Sequence, residues 1–536
     1  MVEDEQQQRR LEAELQQQKR EWAAAPMWVF WFLVVVGLSV FTRFVRLEFP
    51  AQTVYDEVHF GGFAMLYVKG EYHFDVNPPL GKLIHYWVGT RFCEAPAELD
   101  YDMSVFNNIG TPYPHNCYVF LRRASALAGA ILPPLAFLTV KAMGRSLSGA
   151  VLASGLVLLE NSIVTQSRLI ILDAFLWVFI ALAAWGFVNL LRAGGEQSGV
   201  VPVLLQQVWW GAVTGLGVGG AVSVKWPGVS VVLAFAVAYY WENFVALRDE
   251  YDEEEEDVEQ KKTAKGSKGK KVATKMTKGA SKQGASRWGS VLPLGIASAV
   301  LLAVAFGVYY QSWVWHFELL PKSGIGNEWH ARRFLASLEG SGHELLPGES
   351  PYSVQEKVLE VNKKLLDAWQ QTQSPHDWAS TWWQWPFNIK PIFYWVSVEG
   401  EGEAEVRREI WVSGNPVVFA VSGVVFPAFL MFALSLVHSD RRRSPREIHY
   451  GVSGGWLLLG WLANCLFYAF TRRVTFFYQH VPGHYCLMLL SAVVLDKFVT
   501  HPTLRRLLVA VVLLLAAAGF YYGQEWTYGF TFDEKL

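Results

Sequence analysis

Long runs of apolar residues, separated by short polar connections, dominate the pattern of this chain. An α-helix rises about 1.5 Å per residue, so roughly 20 apolar residues are needed to cross a hydrocarbon core of about 30 Å. Runs of that length predict an all-α polytopic membrane protein with about eleven transmembrane helices. The candidate spans are 27–47, 122–143, 149–166, 169–191, 204–222, 226–246, 289–312, 416–437, 451–470, 474–496 and 504–522.

The composition narrows the class of protein further. Of the 536 residues, 52% are hydrophobic and only 18% are charged, which is too apolar for a water-soluble enzyme of this length. The 46 basic and 48 acidic side chains nearly balance, so a nucleic-acid partner is not expected. Four cysteines are too few for a disulfide-built scaffold or a cysteine-ligated zinc module, and no metal site is predicted.

Basic residues mark every second connection between the spans, and such connections are typically cytoplasmic. This pattern places the N-terminus in the cytoplasm and the two long loops together on the opposite side. The predicted organisation is a cytoplasmic segment 1–26, a transmembrane core 27–247 with outer loop 48–121, a charged disordered linker 248–288, a transmembrane part 289–523 with outer loop 313–415, and an outer tail 524–536.

Candidate chemistry concentrates in the first outer loop. Adjacent Asp56 and Glu57 lie near the membrane surface, where neighbouring carboxylates raise each other's pKa and one could accept a proton from a hydroxyl. The alternative is a helix start, at which acidic residues favour the positive end of the dipole. Cys93 and Cys117 share the loop, and a disulfide between them is left open.

Cations on the outer side point to an anionic ligand. Arg43 ends the first span and Arg122 begins the second, where positive residues are disfavoured, so either a phosphate site or loose pairing with lipid headgroups is expected. Lys225 is a third cation at membrane depth, and Arg168 with Asp173 could form a structural pair.

The tryptophan-rich segment DWASTWWQWPF in the second outer loop fits a peptide groove or an interfacial anchor equally well. The nearby stretch from Glu356 to Trp369 predicts a short helix.

The loop VYDEVHFGGFAMLYVKGEYHFDVNPPLGKL closely resembles the signature loop of the protein O-mannosyltransferases. Other pieces agree in the family's order, from about Thr42 to the end of the chain. They are LRRASALAGAILPP, SRLIILDAFLWVF, GGAVSVKWPG, HFELLPKSGIGNEWHARRFLASLEG, WWQWPFNIKPIFYW, WVSGNPVVF and RRVTFFYQHVPGHY.

The resemblance implies a C-type glycosyltransferase fold that transfers mannose from dolichyl phosphate mannose to Ser or Thr hydroxyls, by one inverting displacement and without a cofactor. It implies that Asp56 is the catalytic base, that Glu57 assists it, and that Arg43 and Arg122 bind the donor phosphate. Lys225 is added as a candidate phosphate ligand from its position in the sequence.

Two features depart from the usual eukaryotic pattern of this family. The second outer loop has no room for the MIR domain, and Asn77 stands where eukaryotic members usually carry His. The motif RRVTFFYQHVPGHY is closer to that of the bacterial relatives.

The resemblance also implies partners: dolichyl phosphate mannose, acceptor polypeptides, the lipid bilayer, and a homodimer or a heterodimer with a paralogue. The charged linker indicates a eukaryote and therefore the endoplasmic reticulum membrane, and the missing MIR domain leaves a bacterial plasma membrane as the alternative. Competing hypotheses are a transferase that acts on a non-protein acceptor, a transporter, and an inactive relative. The transporter would require symmetric halves with broken helices, which the sequence does not show.

Overall fold

A computed structural model describes residues 26–93, 103–195, 200–243, 288–371, 375–400, 405–438 and 445–534. The segments 1–25 and 244–287 fall outside this range, so the predicted N-terminal segment and most of the predicted charged linker lie outside the described residues.

Long helices form the body of the protein because their residues are apolar over the length of a membrane core. The membrane-length helices are α1 Pro26–Phe44, α4 Cys117–Ala142, α7 Asp173–Gly195, α8 Val200–Val224, α10 Trp288–Leu319, α13 Pro416–His438, α14 Pro445–Ala469, α15 Val481–Phe498 and α16 Pro502–Tyr522.

Shorter elements connect them. They are α2 Glu57–Lys69, β1 Glu71–His73, α3 Leu80–Phe92, α5 Leu147–Leu158, α6 Asn161–Ser167, a helix α9 at 228–243, β2 Lys322–Ile325, α11 Arg332–Leu335, α12 Val354–Gln370, β3 Ile392–Glu399, β4 Val406–Val412 and α17 Gln524–Tyr528.

Nine helices of the described residues are long and apolar enough to cross a membrane. Helices α5 and α6, bent by 57°, form a tenth candidate, and α9 coincides with the remaining predicted span. The protein is therefore a multi-pass membrane protein, and the count of eleven spans stays a prediction.

The two long outer loops pack against each other. Strand β1 pairs in parallel with β2, so that His73 lies opposite Ile325. The Tyr72 hydroxyl lies 2.8 Å from His330 Nε2, and the Trp369 indole of α12 donates to the carbonyl of Val76. These contacts place both loops on one side of the helix bundle, which is where the candidate catalytic residues lie.

Within the second loop, the predicted helix from Glu356 to Trp369 is confirmed as α12, which begins with a capping box between Ser353 and Glu356. Between Pro321 and Asn415 the described residues of this loop form helices α11 and α12 and three short strands, and they contain no β-trefoil domain. In the first loop, Cys93 and Cys117 are paired in a disulfide, which answers the open question about these cysteines.

Small residues allow α8 and α10 to approach closely. Gly211, Gly215 and Gly219 are spaced four residues apart and therefore share one face of α8. A methyl group added at these positions would lie within 2.6 to 2.8 Å of backbone oxygens of α10. Close approach of this kind is the usual way in which helices associate within a membrane, where burial of apolar surface supplies no driving force.

We therefore expect Gly215→Leu to destabilise the protein by about 1–3 kcal/mol, because the new side chain meets the backbone of Leu301. The measurement is the midpoint of thermal unfolding of detergent-solubilised protein. Gly307→Leu on α10 is the matched control, since nothing lies within 4 Å of a Cβ placed there. Equal unfolding midpoints for the two variants would contradict this account of the packing.

Candidate functional site

A cavity of about 530 Å³ opens between the outer loops and the ends of the helices. Its charged lining residues are Asp56, Asp75, Asp173, Lys225 and Arg473. Aromatic side chains complete much of the wall, among them Tyr55, Phe60, Trp177, Trp369, Tyr468 and Tyr478. The cavity thus combines carboxylates and cations with apolar surface, as ligand sites usually do.

Asp56 lies immediately before α2, where its carboxylate is half-buried and does not cap the helix. The preceding residue, Tyr55, has a φ of 44°, a left-handed conformation that is unfavourable for a residue with a side chain. Tyr55 is held there by stacking on Tyr394 of β3, with ring centroids 4.0 Å apart. Such strain is often concentrated at functional sites, and here it fixes the backbone beside Asp56.

The surroundings of Asp56 make it a stronger base than a solvent-exposed aspartate. Burial raises the pKa of its carboxyl to about 6, Lys225 and His59 reduce this increase, and Asp173 adds to it. The carboxyl is therefore mostly ionised at neutral pH and still close to its pKa, which suits a group that must accept a proton under these conditions.

Glu57 has a different role from its neighbour, because its side chain turns away into the protein and is fully buried. Its two oxygens accept hydrogen bonds from Nε and Nη2 of Arg122, each 2.8 Å long. The backbone N–H groups of Val54 and Ile170 and the hydroxyl of Tyr113 donate to the same carboxylate. Both oxygens are fully engaged, so Glu57 does not reach the cavity.

Arg122 uses all five of its N–H donors within the protein. Besides the two bonds to Glu57, it donates to the carbonyls of Leu47, Pro50 and Gln52. Its guanidinium also lies 4.8 Å from the ring of Tyr118. The guanidinium therefore ties the segment before α2 to the start of α4, and it does not line the cavity.

Arg43 also lies away from the cavity. It is fully buried and donates to the carbonyls of Val157 and Leu158 at the end of α5. A cation at that position satisfies free carbonyls and interacts favourably with the negative end of the helix dipole. The expectation that Arg43 and Arg122 face a phosphate thus differs from where the structure places them, since neither side chain lines the cavity. Arg122 is saturated by Glu57 and by carbonyls, whereas Arg43 donates to Thr42 and to two carbonyls and keeps an Nε without a partner among the described residues.

Lys225 does face the cavity, as its position in the sequence predicted. It lies between α8 and α9, and its ammonium group is 2.7 Å from the carboxylate of Asp173. Asp173 therefore pairs with Lys225 rather than with Arg168, whose guanidinium donates to the carbonyls of residues 43, 45 and 46.

The cation that sequence reasoning missed is Arg473, which lies in the short connection between α14 and α15 and is the second residue of the motif RRVTFFYQHVPGHY. Its guanidinium lies 4.7 Å from the ring of Trp369, and its Nη1 has no hydrogen-bond partner among the described residues. Burial lowers its pKa, but a guanidinium stays charged at neutral pH. The sequence pattern that could have identified Arg473 is an arginine on the outer side at the end of a span, the same pattern that identified Arg43.

Charge pairing separates the cavity residues into two groups. Asp75 pairs with Lys82 at 2.6 Å, and Asp173 pairs with Lys225 at 2.7 Å. Among the described residues, neither Asp56 nor Arg473 forms an ion pair. The cavity thus offers one carboxylate and one guanidinium for a ligand, which suits a reaction that moves a proton while an anion departs.

No cluster of His, Cys, Asp and Glu suited to holding a metal ion occurs among the described residues.

The buried ion pair between Glu57 and Arg122 leads to a prediction about stability. Glu57→Gln places an amide N–H₂ against the donors of Arg122 and leaves its charge unpaired, so we expect a loss of about 3–5 kcal/mol. Asp56→Asn is the matched control on the adjacent residue, whose carboxylate forms no ion pair within the described structure. Thermal unfolding in detergent measures both, and a Glu57→Gln variant as stable as Asp56→Asn would refute the buried ion pair.

Sequence comparison finds two matching family profiles. Residues 33–254 match the dolichyl-phosphate-mannose-protein mannosyltransferase family, and residues 354–535 match the C-terminal four-helix transmembrane region of protein O-mannosyltransferases. Together the two matches include all the charged cavity residues.

Curated relatives are similar over part of their length. Dolichyl-phosphate-mannose–protein mannosyltransferase 4 of Candida albicans is 30% identical over 57% of this chain and 35% of its own. Mannosyltransferase 1 of Saccharomyces cerevisiae is 30% identical over 58% of this chain and 33% of its own. The matched region is thus about a third of the length of these relatives.

A solved structure of another protein shares the fold. It is the S. cerevisiae protein O-mannosyltransferase Pmt1-Pmt2 complex bound to the sugar donor, at a TM-score of 0.76 and 18% identity, covering 94% of this chain and 90% of that one. The predicted all-helical C-type glycosyltransferase fold is confirmed by this likeness, with two short two-stranded sheets added to the helices.

Proposed function

Because the chain belongs to the protein O-mannosyltransferase family, we propose that it transfers mannose from dolichyl phosphate mannose to Ser or Thr hydroxyls of polypeptides. The observation that carries this proposal is the cavity that contains the Asp56 carboxylate and the Arg473 guanidinium, neither of which forms an ion pair within the part of the chain that the structure describes. A base and an anion site within one cavity are what a displacement at a sugar phosphate requires.

In the proposed reaction the acceptor hydroxyl oxygen attacks C1 of mannose while the bond from C1 to the phosphate oxygen breaks. The hydroxyl proton passes to Asp56, and the electron pair of the broken bond leaves with dolichyl phosphate. Attack from the side opposite the phosphate inverts C1, so no covalent enzyme intermediate forms. The raised pKa of Asp56 favours proton acceptance near neutral pH.

We assign the anion site to Arg473 and Lys225. A guanidinium presents a planar pair of donors to phosphate oxygens, and Trp369 holds that of Arg473 by a cation–π contact. Lys225 contributes less, because Asp173 already offsets its charge. Arg43 and Glu57, with Arg122, are assigned positioning roles, since their side chains bind the protein itself.

We further propose that the protein lies in the endoplasmic reticulum membrane with its N-terminus in the cytoplasm, and that it works as a homodimer or a heterodimer with a paralogue. The disulfide between Cys93 and Cys117 supports an oxidising compartment on the side of the catalytic loops. The alternating basic connections support the orientation.

The test of the proposed function is mannose transfer from dolichyl phosphate mannose to a Ser/Thr-rich peptide in membranes. Asp56→Asn keeps the shape of the side chain and removes the base, so we expect transfer to fall by about 10²- to 10⁴-fold. Asp533→Asn, at an exposed carboxylate near the C-terminus, is the control. Folded wild-type protein that transfers no mannose to any peptide would overturn the assignment of donor or acceptor.

Transfer should also depend on pH in a specific direction. Asp56 must be ionised to accept the proton, and its pKa is about 6, so kcat/KM is expected to fall about tenfold per unit as the pH drops below 6. As the pH rises above 7 the group approaches full ionisation, and this titration should have little further effect. A rate that stays constant between pH 7 and pH 5 would contradict the role of Asp56 as base.

Arg473 and its neighbour Arg472 form a matched pair, because Arg472 is exposed and does not line the cavity. We expect Arg473→Gln to lower kcat/KM for the donor by about 10²- to 10³-fold, the usual effect of removing one group that stabilises developing charge. Arg472→Gln should change it little. Similar losses in both variants would indicate a general electrostatic effect instead of a phosphate contact.

A further inference from the structure

A second cavity, of about 690 Å³, lies behind the catalytic one. The two share a wall formed by the beginning of α15 and the 3-10 turn Phe477–His480 that precedes it. Tyr478 and Pro482 face the catalytic cavity, whereas His480, His484 and Leu487 line the second. Residues spaced by four and three positions share one face of a helix, so the second cavity lies on the opposite side of this wall.

The second cavity is elongated in the direction that crosses the membrane. It extends along α13 from Pro416 to Phe426, which are ten residues apart and therefore about 15 Å in a helix. Phe419, Phe426 and Trp461 supply apolar walls. Toward the outer end, Trp383 and Phe387 are exposed by 54% and 71%, as expected for aromatic side chains at a membrane surface.

The polar groups of the second cavity lie in the part nearest the outer membrane surface. His480 is buried, yet neither of its ring nitrogens has a hydrogen-bond partner among the described residues. One turn deeper, Nε2 of His484 lies 2.9 Å from the hydroxyl of Ser422. Buried polar groups are rarely left unpaired, so the imidazole of His480 points to a ligand with a polar group at this depth.

The charge of the residues that line the second cavity indicates which type of lipid could bind there. No Lys or Arg is among the lining residues within the described structure, so a phosphate has no counter-charge inside the cavity. An uncharged ester beside His480 and an apolar chain beside the phenylalanines match the lining instead. The uncharged lining therefore favours a lipid whose phosphate stays at the membrane surface.

We propose that this cavity binds a glycerophospholipid of the outer leaflet, with one acyl chain between α13 and α15 and an ester group hydrogen-bonded to His480. This second site is separate from the donor and acceptor of the proposed reaction. Trp385 connects the two cavities, because its ring lies 5.3 Å from that of Tyr468 in the catalytic wall and 6.1 Å from that of His480. A bound lipid would therefore hold that wall in place.

The experiment uses the full-length protein in vesicles of phosphatidylcholine that contain a small fraction of phosphatidylcholine with a diazirine on one acyl chain. Photolysis and peptide mass spectrometry locate the cross-links. We expect adducts concentrated on peptides that include 416–426 and 480–487. Labelling spread evenly over all lipid-facing helices would overturn the proposal.

Gly423 provides a variant that fills the cavity, since it lines the cavity and nothing lies within 4 Å of a Cβ placed there. Gly423→Leu should reduce labelling of these peptides about tenfold, which corresponds to a loss of roughly 1.4 kcal/mol in binding free energy. Gly307→Leu, at an equally open glycine of α10, should leave it unchanged. Ala420→Leu, at another lining residue, replaces Gly423→Leu if that variant does not fold.

His480→Phe separates the polar contact from the apolar one, because it keeps an aromatic ring and removes both nitrogens. We expect weaker labelling, with cross-links that shift along the acyl chain. Unchanged labelling in both His480→Phe and Gly423→Leu would refute the site. Displacement of the phospholipid probe by unlabelled polyprenyl phosphate at low molar ratio would also refute it, since that result assigns the cavity to an isoprenoid lipid.

Discussion

The buried ion pair between Arg122 and Glu57 determines the geometry of the site. A single guanidinium binds both oxygens of Glu57 and three backbone carbonyls of the segment that leads into α2. Isolated, either charge would be very costly to bury, but together their donors and acceptors are satisfied. Because Glu57 is fixed, the adjacent Asp56 is directed into the cavity by the backbone alone.

The two neighbouring acidic residues thus have different roles: Glu57 forms a buried ion pair, and Asp56 faces the cavity. A shift of one position along the chain is enough to separate these roles. Successive residues at a helix start point in different directions, so when Glu57 is buried, Asp56 faces outward. The left-handed backbone of Tyr55 and its stacking on Tyr394 reinforce this arrangement from the other side. Among the described residues, the Asp56 carboxylate accepts no hydrogen bond from the start of α2 that would reduce its basicity.

The sequence was sufficient for the membrane-spanning helices, because each apolar run has the length of a hydrocarbon core. It also identified Asp56 and Lys225 as cavity residues, from a carboxylate pair and a cation at membrane depth. It could not distinguish a cation that binds a ligand from one that binds the protein. Arg43 and Arg122 donate to carbonyls and to Glu57, groups that are far from them in sequence. Arg473 has the same sequence feature as these two, an arginine on the outer side next to a span. Only the packing of Trp369 against it shows that it lies in the cavity.

The cavity draws its walls from both parts of the chain. Asp56, Asp173 and Lys225 precede the segment 244–287 in the sequence, whereas Trp369 and Arg473 follow it. The glycine face of α8 joins the same two parts of the chain, because it packs against α10, which follows that segment. Mutations in the two parts should therefore impair the same activity, and two fragments cut within 244–287 could restore function only by reassembling into one bundle.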